Sequence, residues 1–254
     1  QSDYLRNFLN EDRNSINKIQ YNNALYYHKY ELRKKKGGTR EICTPNKHIK
    51  YIQKWILKNI LEKVPVHDNC KGFIKKISIK DNALIHSNAN QILKLDLYKF
   101  YDTITDRRIY GFFKSLGYHP NLCVALAKIC TIKHSEKFSK DLIEHLGEKA
   151  NYAVLPQGAP TSPMLSNLIA KKLDYRLTGL AKKYDLNYSR YADDLTFSSN
   201  TKSNFPTTEF IRKIIDAEGF KLNTDKTAVM KRGNKQYVTG LTIQNGVHTP
   251  KKYR

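Results

Sequence analysis

Two adjacent carboxylates, Asp193 and Asp194, stand in the run SRYADDLTFSSN, whose composition is otherwise typical of a β-strand. Aspartate is depleted from strands, and two neighbouring negative charges repel each other, so the pair calls for a compensating cation. The pattern predicts two strands joined by a tight turn that carries both aspartates. Because successive side chains of a strand face opposite ways, we expect Asp193 to be the better metal ligand and Asp194 to lie nearer the edge of the site.

A third carboxylate, Asp96, lies 97 residues upstream of Asp193 in NQILKLDLYKFYDTI. The first half of that segment alternates between apolar and polar residues, which predicts that Asp96 lies on or at the end of a strand. Three carboxylates without a neighbouring His or Cys suit Mg²⁺, with Mn²⁺ as a substitute. Two such ions about 3.5–4 Å apart can activate an attacking hydroxyl and stabilise a leaving pyrophosphate. An Asp-Asp pair alone also occurs at ordinary surface turns, so other segments must decide.

The chain is strongly basic, with 45 Lys and Arg against 23 Asp and Glu and a net charge of +22 over 254 residues. The cations are concentrated in residues 29–58 and 221–254. Basic runs are often solvated surface, but two such blocks interleaved with tyrosines favour nucleic acid as the partner. An anionic membrane surface is the second candidate. No apolar run is long enough to span a bilayer, so no membrane partner is expected.

The four cysteines, Cys43, Cys70, Cys123 and Cys130, form no CxxC pair. This spacing argues against a zinc site and against a disulfide framework, and it indicates reduced thiols and a cytoplasmic location. No secretory signal is visible, and the chain begins with Gln1, so we expect a fragment trimmed at one or both ends.

The hydrophobic pattern predicts an α+β protein in which helices cover one face of an antiparallel sheet. Gly37 and Gly38 form the turn of the basic hairpin RKKKGGTREICTP, and Pro45 ends its second arm. The predicted helices are residues 3–30, an amphipathic segment at 46–63, residues 106–131 with a break at 117–120, a long helix following the loop LPQGAPTSP, and residues 207–217 closed by Gly219.

Several segments together resemble the sequence blocks of reverse transcriptases, in the family's order: LDLYKFYDTI with Asp96, LPQGAPTSP, YADD, LNTDKT and VTGL. The resemblance runs from about Arg33 to Arg254. The runner-up among polymerases is a viral RNA-templated RNA polymerase, but such enzymes typically carry GDD in place of YADD. KDNALIHSNAN is similar to the NAxxH element of retron reverse transcriptases, and Val238–Gly240 matches their VTG triplet. Group II intron and diversity-generating enzymes share the core blocks but not, as a rule, this pair.

The resemblance implies the fingers and palm of a right-hand polymerase, with a thumb expected beyond residue 254. It implies these domains: an N-terminal helical extension at 1–32, fingers at 33–95, a first palm part at 96–119, a helical insertion at 120–153, and a palm at 154–254 that ends where the thumb begins.

The match also implies roles for individual residues. Tyr101 falls where an aromatic ring lies under the sugar of the incoming nucleotide and favours dNTPs. As sets, the resemblance implies catalysis and metal binding by Asp96, Asp193 and Asp194; nucleotide binding by Arg40, Lys34, Tyr101, Gln157, Gly158 and Lys226; and nucleic-acid binding by Tyr191, Ala192, Asn82, His86, Val238, Thr239 and Gly240.

The activity that the resemblance implies is RNA-directed DNA synthesis with two Mg²⁺ ions and dNTPs. In retrons, the enzyme copies part of its own structured RNA from a guanosine 2′-OH, yielding a branched RNA–DNA product, and acts with an effector protein in antiphage defence. The alternatives are a group II intron-like or defence-associated reverse transcriptase, a non-catalytic RNA/DNA scaffold for an effector, and a template-independent or protein-primed polymerase of the same superfamily.

Overall fold

The structure is a computed structural model that describes residues 23–33, 37–133, 153–201 and 204–250. The predictions for residues 3–22, for Lys34 and for much of the helical insertion at 120–153 lie outside the described residues. The described residues within 23–63 and 104–165 form one compact unit, and those within 64–103 and 166–250 form a second. The assignment of fingers and palm boundaries stays a prediction.

The described elements follow one another as a hairpin, a set of helices and a sheet with its own helices. In chain order they are β1 (Tyr27–Arg33), β2 (Thr39–Pro45), α1 (Lys47–Asn59), α2 (Ile79–Leu84), β3 (Gln91–Asp96), α3 (Asp106–Ser115), α4 (Pro120–Cys130), α5 (Ser162–Ile169), α6 (Lys171–Lys183), β4 (Asn187–Tyr191), β5 (Asp194–Ser199), α7 (Thr208–Ala217), β6 (Ala228–Lys231), β7 (Tyr237–Val238) and β8 (Leu241–Thr242).

The first unit contains the basic hairpin and helices α1, α3 and α4. The hairpin strands pair antiparallel with Tyr27 opposite Pro45, which confirms the predicted second arm ending at Pro45, whereas residues 34–36 of the predicted first arm lie outside the described residues. The side-chain oxygen of Asn46 caps α1 by accepting from the Ile49 backbone N–H at 3.0 Å. The amphipathic prediction for α1 is also confirmed, since its isoleucine stripe is buried and its lysines at spacing four are exposed. Inside the unit, Gln53 Nε2 donates to the Tyr27 hydroxyl and to the Ile129 carbonyl.

The predicted helix over residues 3–30 is wrong in its described end. Residues 27–30 lie in strand β1, where each residue faces a partner in β2. The segment YYHKY is rich in aromatic residues, which favour strands when a pairing partner is available. Hydrogen bonding to β2 therefore prevailed over the weak helical periodicity.

The second unit is built on a four-stranded sheet in the order β4-β5-β3-β6, with every neighbouring pair antiparallel. Helix α6 contacts β4, and α7 contacts α6. The side chains of Leu95, Leu195 and Phe197 are fully buried. This arrangement confirms the predicted α+β class with an antiparallel sheet.

The predicted long helix after LPQGAPTSP is interrupted at Ala170. There ψ is −2°, and the helix is divided into α5 and α6. The hydrogen bonds continue across the break, since Ala170 N–H donates to Ser166 and Asp174 N–H donates to Ala170. The apolar stripe is insensitive to a single twisted residue, which explains why the pattern predicted one helix.

In the part of the chain that the structure describes, no helix is both long enough and apolar enough to cross a bilayer. All four cysteines are buried and free of disulfide bonds.

Candidate active site

The sheet brings the three carboxylate residues together. Asp96 is the last residue of β3, and Asp194 is the first residue of β5 and lies directly opposite it. Asp193 occupies the turn between β4 and β5, and its carbonyl accepts a hydrogen bond from Leu97 N–H at 2.9 Å. Antiparallel pairing of β3 with β5 therefore places side by side two segments that are far apart in sequence.

The turn that carries Asp193 is a tight hairpin of two residues. Tyr191 pairs with Asp194, which leaves only Ala192 and Asp193 in the loop. Ala192 has φ 56°, a left-handed conformation that is uncommon for a residue with a Cβ. The backbone of Gly72 packs against this turn. The approach is so close that a Cβ atom added at Gly72 would lie 2.6 Å from the Ala192 nitrogen. The turn is thus held in a strained conformation by its surroundings.

The negative charge of the cluster is visible in the titration of Asp193. Burial, together with the neighbouring carboxylates of Asp194 and Asp96, raises the pKa of Asp193 to about 6. A raised pKa means that this position disfavours a third negative charge in the metal-free protein. A cation bound among the three carboxylates would relieve this repulsion.

Two lysines contact the other two carboxylates. Lys226 Nζ donates to both oxygens of Asp96 at 2.9 Å, and Asn223 Nδ2 donates to Oδ1 at 3.0 Å. Lys94 Nζ forms an ion pair with Asp194 Oδ2 at 3.0 Å. The Lys226 side chain is 61 % exposed, whereas that of Asp96 is 9 % exposed, so the lysine is the movable partner.

The donor set fits a divalent cation, although the present arrangement is not a formed metal site. Among the residues that the structure describes, no group of three His, Cys, Asp or Glu side chains is arranged to ligate one ion. The three side chains nevertheless offer only carboxylate oxygens, which hard cations prefer. The lysine ammonium groups on Asp96 and Asp194 show that both carboxylates accept positive charge. Asp96, Asp193 and Asp194 are the residues that would hold the metal.

Lys94 and Arg190 were missed by the sequence reasoning. Lys94 precedes Asp96 by two residues, so strand alternation puts both on one face of β3, and that signal was available. Arg190 stands directly before YADD in a segment that reads as strand. A charged residue at a strand position that faces the core could have been noticed. Its ion-pair partner, Asp174, lies 2.7 Å away in α6, and the sequence alone does not reveal that contact.

Two predicted site tyrosines lie in the same unit as the carboxylates. Tyr101 is half-buried, and its ring lies 5.7 Å from that of Phe100, which is buried against Phe220. Tyr191 is also half-buried, and its ring lies 6.2 Å from the exposed Phe73. Their predicted contacts with nucleotide and primer stay predictions.

Three other predicted residues, Arg40, Gln157 and Gly158, belong to the first unit. Arg40 is exposed on β2, and the Gln157 carbonyl accepts from Cys43 N–H at 2.7 Å. Gly158 has φ 122°, and a Cβ there would lie 3.0 Å from the Cys43 carbonyl oxygen. The loop that contains Gln157 and Gly158 is therefore hydrogen-bonded to strand β2 of the basic hairpin. Glycine is required at position 158, where the two backbones meet.

The retron-like elements NAxxH and VTG pack together in the second unit. Ala83 and Val238 share a small buried core with Ile92, and the Thr239 hydroxyl donates to the Ile79 carbonyl. Thr239 and Gly240 both have positive φ, and Gly240 is exposed. Asn82 is buried, and its side-chain oxygen has no hydrogen-bond partner among the residues that the structure describes. The two elements thus form one structural cluster.

His86 lies inside the protein rather than at its surface. Its two ring nitrogens contact the Ser198 and Ser189 hydroxyls, each at 2.7 Å, and the side chain is fully buried. Burial lowers the pKa of His86 to about 3, so the ring is neutral. Its predicted contact with nucleic acid stays a prediction, and in this structure it joins the segment after α2 to strands β4 and β5.

Neutral burial of His86 predicts an acid-sensitive stability. Between about pH 6.5 and pH 3 the unfolded chain binds a proton that the folded chain excludes, so stability falls as the pH falls through this window, by up to about 1.4 kcal/mol per pH unit. We expect His86→Gln to flatten the dependence of unfolding free energy on pH, measured by urea denaturation from pH 7 to pH 4. The same change at the exposed His28 is the control. Equal slopes for wild type and His86→Gln would contradict the assignment.

Comparison with known proteins identifies the family. The reverse transcriptase (RNA-dependent DNA polymerase) family matches residues 32–244. The chain belongs to the reverse transcriptase family. This family generally uses divalent metal ions, in agreement with the all-carboxylate donor set.

Curated relatives of this reverse transcriptase chain include retron enzymes, which confirms the retron-type resemblance. The retron Mx162 reverse transcriptase of Myxococcus xanthus is 35 % identical over 87 % of this chain and 47 % of that protein. The retron Ec86 reverse transcriptase of Escherichia coli is 39 % identical over 85 % of this chain and 63 % of that protein. The retron Ec73 reverse transcriptase of Escherichia coli is 32 % identical over 87 % of this chain and 69 % of that protein. The chain therefore spans about half to two thirds of these relatives.

Solved structures support the fold. Apo telomerase from Candida tropicalis, truncated from its C-terminal domain, has a TM-score of 0.53 at 15 % identity, covering 88 % of this chain and 55 % of that one. Telomerase from Candida albicans in complex with a telomeric RNA fragment has a TM-score of 0.52 at 12 % identity, covering 85 % of this chain and 45 % of that one. The structural similarity establishes a shared reverse transcriptase fold. Sequence identities this low show nothing about the substrate.

Proposed function

We propose that this protein is an RNA-directed DNA polymerase of the retron type. The observation that carries the proposal is the pairing of Asp96 with Asp194 across β3 and β5, with Asp193 in the adjoining turn, in a chain of the reverse transcriptase family. The raised pKa of Asp193 adds support, because it marks a cluster that needs a counter-cation. A positive charge of +22 suits a nucleic-acid substrate.

Asp96, Asp193 and Asp194 would hold two Mg²⁺ ions, or Mn²⁺ in their place. When bound, such ions lower the barrier by stabilising the attacking and leaving oxygens. The residues of the chain would bind and orient the substrates. Lys226 would bind the triphosphate of the incoming nucleotide. This proposal is supported by its contact with Asp96, because an exposed lysine beside the site can exchange the Asp96 carboxylate for a phosphate oxygen.

The remaining site residues would position the two substrates. Tyr101 would lie under the sugar of a dNTP, and Arg40, with Lys34 assisting, would contact its triphosphate. A guanidinium suits phosphate oxygens because of its forked donors. The other proposed contacts are Gln157 and Gly158 at the nucleotide, Tyr191 and Ala192 at the primer end, and Asn82, His86, Val238, Thr239 and Gly240 at the nucleic acid or its supporting surface.

The retron assignment leads to a more specific proposal. The template would be a structured RNA encoded with the enzyme, synthesis would start from an RNA 2′-OH, and the product would be single-stranded DNA joined to RNA. The complex would act in the cytoplasm in antiphage defence with an effector protein. The support for these steps is the similarity to retron enzymes.

The activity is tested with the natural full-length protein on an RNA template with an annealed DNA primer. We expect dNTP incorporation that requires Mg²⁺ or Mn²⁺ and stops when EDTA is added. A DNA-only duplex and a reaction without template separate this activity from other polymerases. RNA binding without any incorporation would overturn the proposal and favour a scaffold.

The retron step is tested separately. Nucleic acid that copurifies with the full-length protein is digested with RNase, treated with a debranching enzyme and sequenced. A DNA that remains attached to one RNA nucleotide until debranching supports 2′-OH priming. Unattached DNA, or RNA alone, would contradict it.

A further inference from the structure

A buried charge pair lies directly behind the turn that carries Asp193. Arg190 in β4 and Asp174 in α6 have fully buried side chains. Arg190 Nε donates to Asp174 Oδ1 at 2.8 Å, and Nη2 donates to Oδ2 at 2.7 Å. This fork-to-fork arrangement fixes the plane of the guanidinium as well as its position.

The other donors of Arg190 are also used. Nη1 donates to Asn167 Oδ1 at 3.0 Å and to the Ala192 carbonyl at 3.1 Å, and Nη2 contacts Cys70 Sγ at 3.2 Å. All five N–H groups of the guanidinium therefore have an acceptor. A lysine could not reproduce this set, because its three donors sit on one atom.

The contact with the Ala192 carbonyl connects the pair to the catalytic turn. The turn has two residues, and each of its carbonyls has a donor: Arg190 Nη1 on Ala192 and Leu97 N–H on Asp193. Fixing both carbonyls fixes the orientation of the peptide planes. The direction of the Asp193 side chain follows from those planes.

A second layer supports the same turn. Asn167, which accepts from Arg190, donates through Nδ2 to the Gly72 carbonyl at 2.8 Å. Gly72 is the residue whose backbone is packed against the Ala192 nitrogen. The guanidinium therefore sits in a network that contacts the turn from behind along two routes.

Stability alone does not explain such a pair. Well-packed apolar residues of similar volume often replace a buried ion pair with little loss of stability. What apolar residues cannot replace is a directed hydrogen bond to the Ala192 carbonyl.

We propose that Arg190 is a positioning residue that, held by Asp174, orients Asp193 toward Asp96 and Asp194. The inference rests on the proposed polymerase function. In this role Arg190 touches neither substrate nor metal, and it acts through the backbone of the turn.

The test is the double substitution Arg190→Met with Asp174→Leu in the full-length protein. It removes both buried charges together, so neither is left without a partner. We expect a thermal midpoint close to that of the wild type and unchanged RNA affinity. The turnover of primer extension falls about 10–100-fold, with little change in the KM for dNTP, because a small misplacement of a reacting group is costly. The concentration of Mn²⁺ for half-maximal binding, followed by electron paramagnetic resonance without substrates, rises several-fold.

Arg212→Met is the matched control, because Arg212 pairs with Glu209 and Asp216 on the exposed side of α7. A folded double variant with wild-type turnover and wild-type Mn²⁺ binding would overturn the inference. If the wild-type protein itself shows no DNA synthesis, the result counts against the polymerase proposal only. The comparison of Mn²⁺ affinity between the wild type and the double variant still tests whether Arg190 positions Asp193.

A second variant keeps the question decidable if the double variant does not fold. Arg190→Lys retains the charge beside Asp174 but loses the forked donors that reach the Ala192 carbonyl. We expect it to fold, to bind RNA normally and to show lower turnover and weaker Mn²⁺ binding. Full activity and full Mn²⁺ affinity in Arg190→Lys would overturn the inference.

Discussion

Asp193→Asn is expected to abolish Mg²⁺-dependent DNA synthesis, and so is Asp96→Asn. Each change removes one carboxylate from a cluster of three while keeping the size of the side chain. The fall in single-turnover rate should be about 10³-fold or more, because both metal binding and the placement of the reacting oxygens depend on these charges. Primer extension on an RNA template measures the rate, and a binding titration with the same RNA should give nearly the wild-type affinity.

The fold of the Asp193→Asn protein serves as an internal check. The pKa of Asp193 is raised to about 6, so ionisation of this side chain is less favourable in the folded protein than in the unfolded chain. Stability therefore should not fall when the charge is removed, and a loss of activity cannot be blamed on unfolding. Asp185→Asn, on an exposed turn of the same unit, is the matched control. Near-wild-type synthesis in either active-site variant would refute the assignment of the carboxylates.

The second large effect concerns stability. We expect Asp174→Ala to lower the free energy of unfolding by about 3–5 kcal/mol, because it leaves the Arg190 charge buried without its partner. The Tyr188 hydroxyl, which donates to Asp174 Oδ1 at 2.9 Å, loses its acceptor as well. For a chain of this size, the thermal midpoint should fall by about 6–20 °C. Calorimetry or chemical denaturation of the purified variant measures the loss.

Asp216→Ala is the control for this prediction. Asp216 also pairs with an arginine, at 2.9 Å, but its side chain is 40 % exposed. An exposed pair contributes about 0–1 kcal/mol, so the change in stability should be small. Similar losses for the two variants would mean that burial of the Arg190–Asp174 pair has no special importance.

The placement of the three carboxylates at neighbouring strand ends was largely readable from the sequence. YADD, LDLYKFYDTI and LPQGAPTSP are short runs whose residue types report local geometry, and alternation predicts that Asp96 lies on or at the end of a strand. The helix α1 and the basic hairpin were predicted for the same reason, since their periodicity is a property of neighbouring residues. The metal, nucleotide and nucleic-acid roles of the individual residues stay predictions.

The contacts that decide how those residues behave were not readable. The local pattern predicts helix for residues 27–30 of β1, because it does not record the hydrogen bonds that β2 supplies. The break at Ala170 could not be predicted, because the apolar stripe in the sequence continues through this residue. In each case the energy comes from another part of the chain, which local patterns do not record.

The same limit applies most strongly at the carboxylates. Nothing in the order of residues shows that Lys94 pairs with Asp194, that Lys226 covers Asp96 or that Asp174 holds Arg190 behind the turn. These pairs depend on strand register and helix packing, which join side chains separated by 16 to 130 positions. Sequence motifs thus identified the acidic residues, whereas folding set their charge environment, because electrostatic interaction depends on distance in space and on burial.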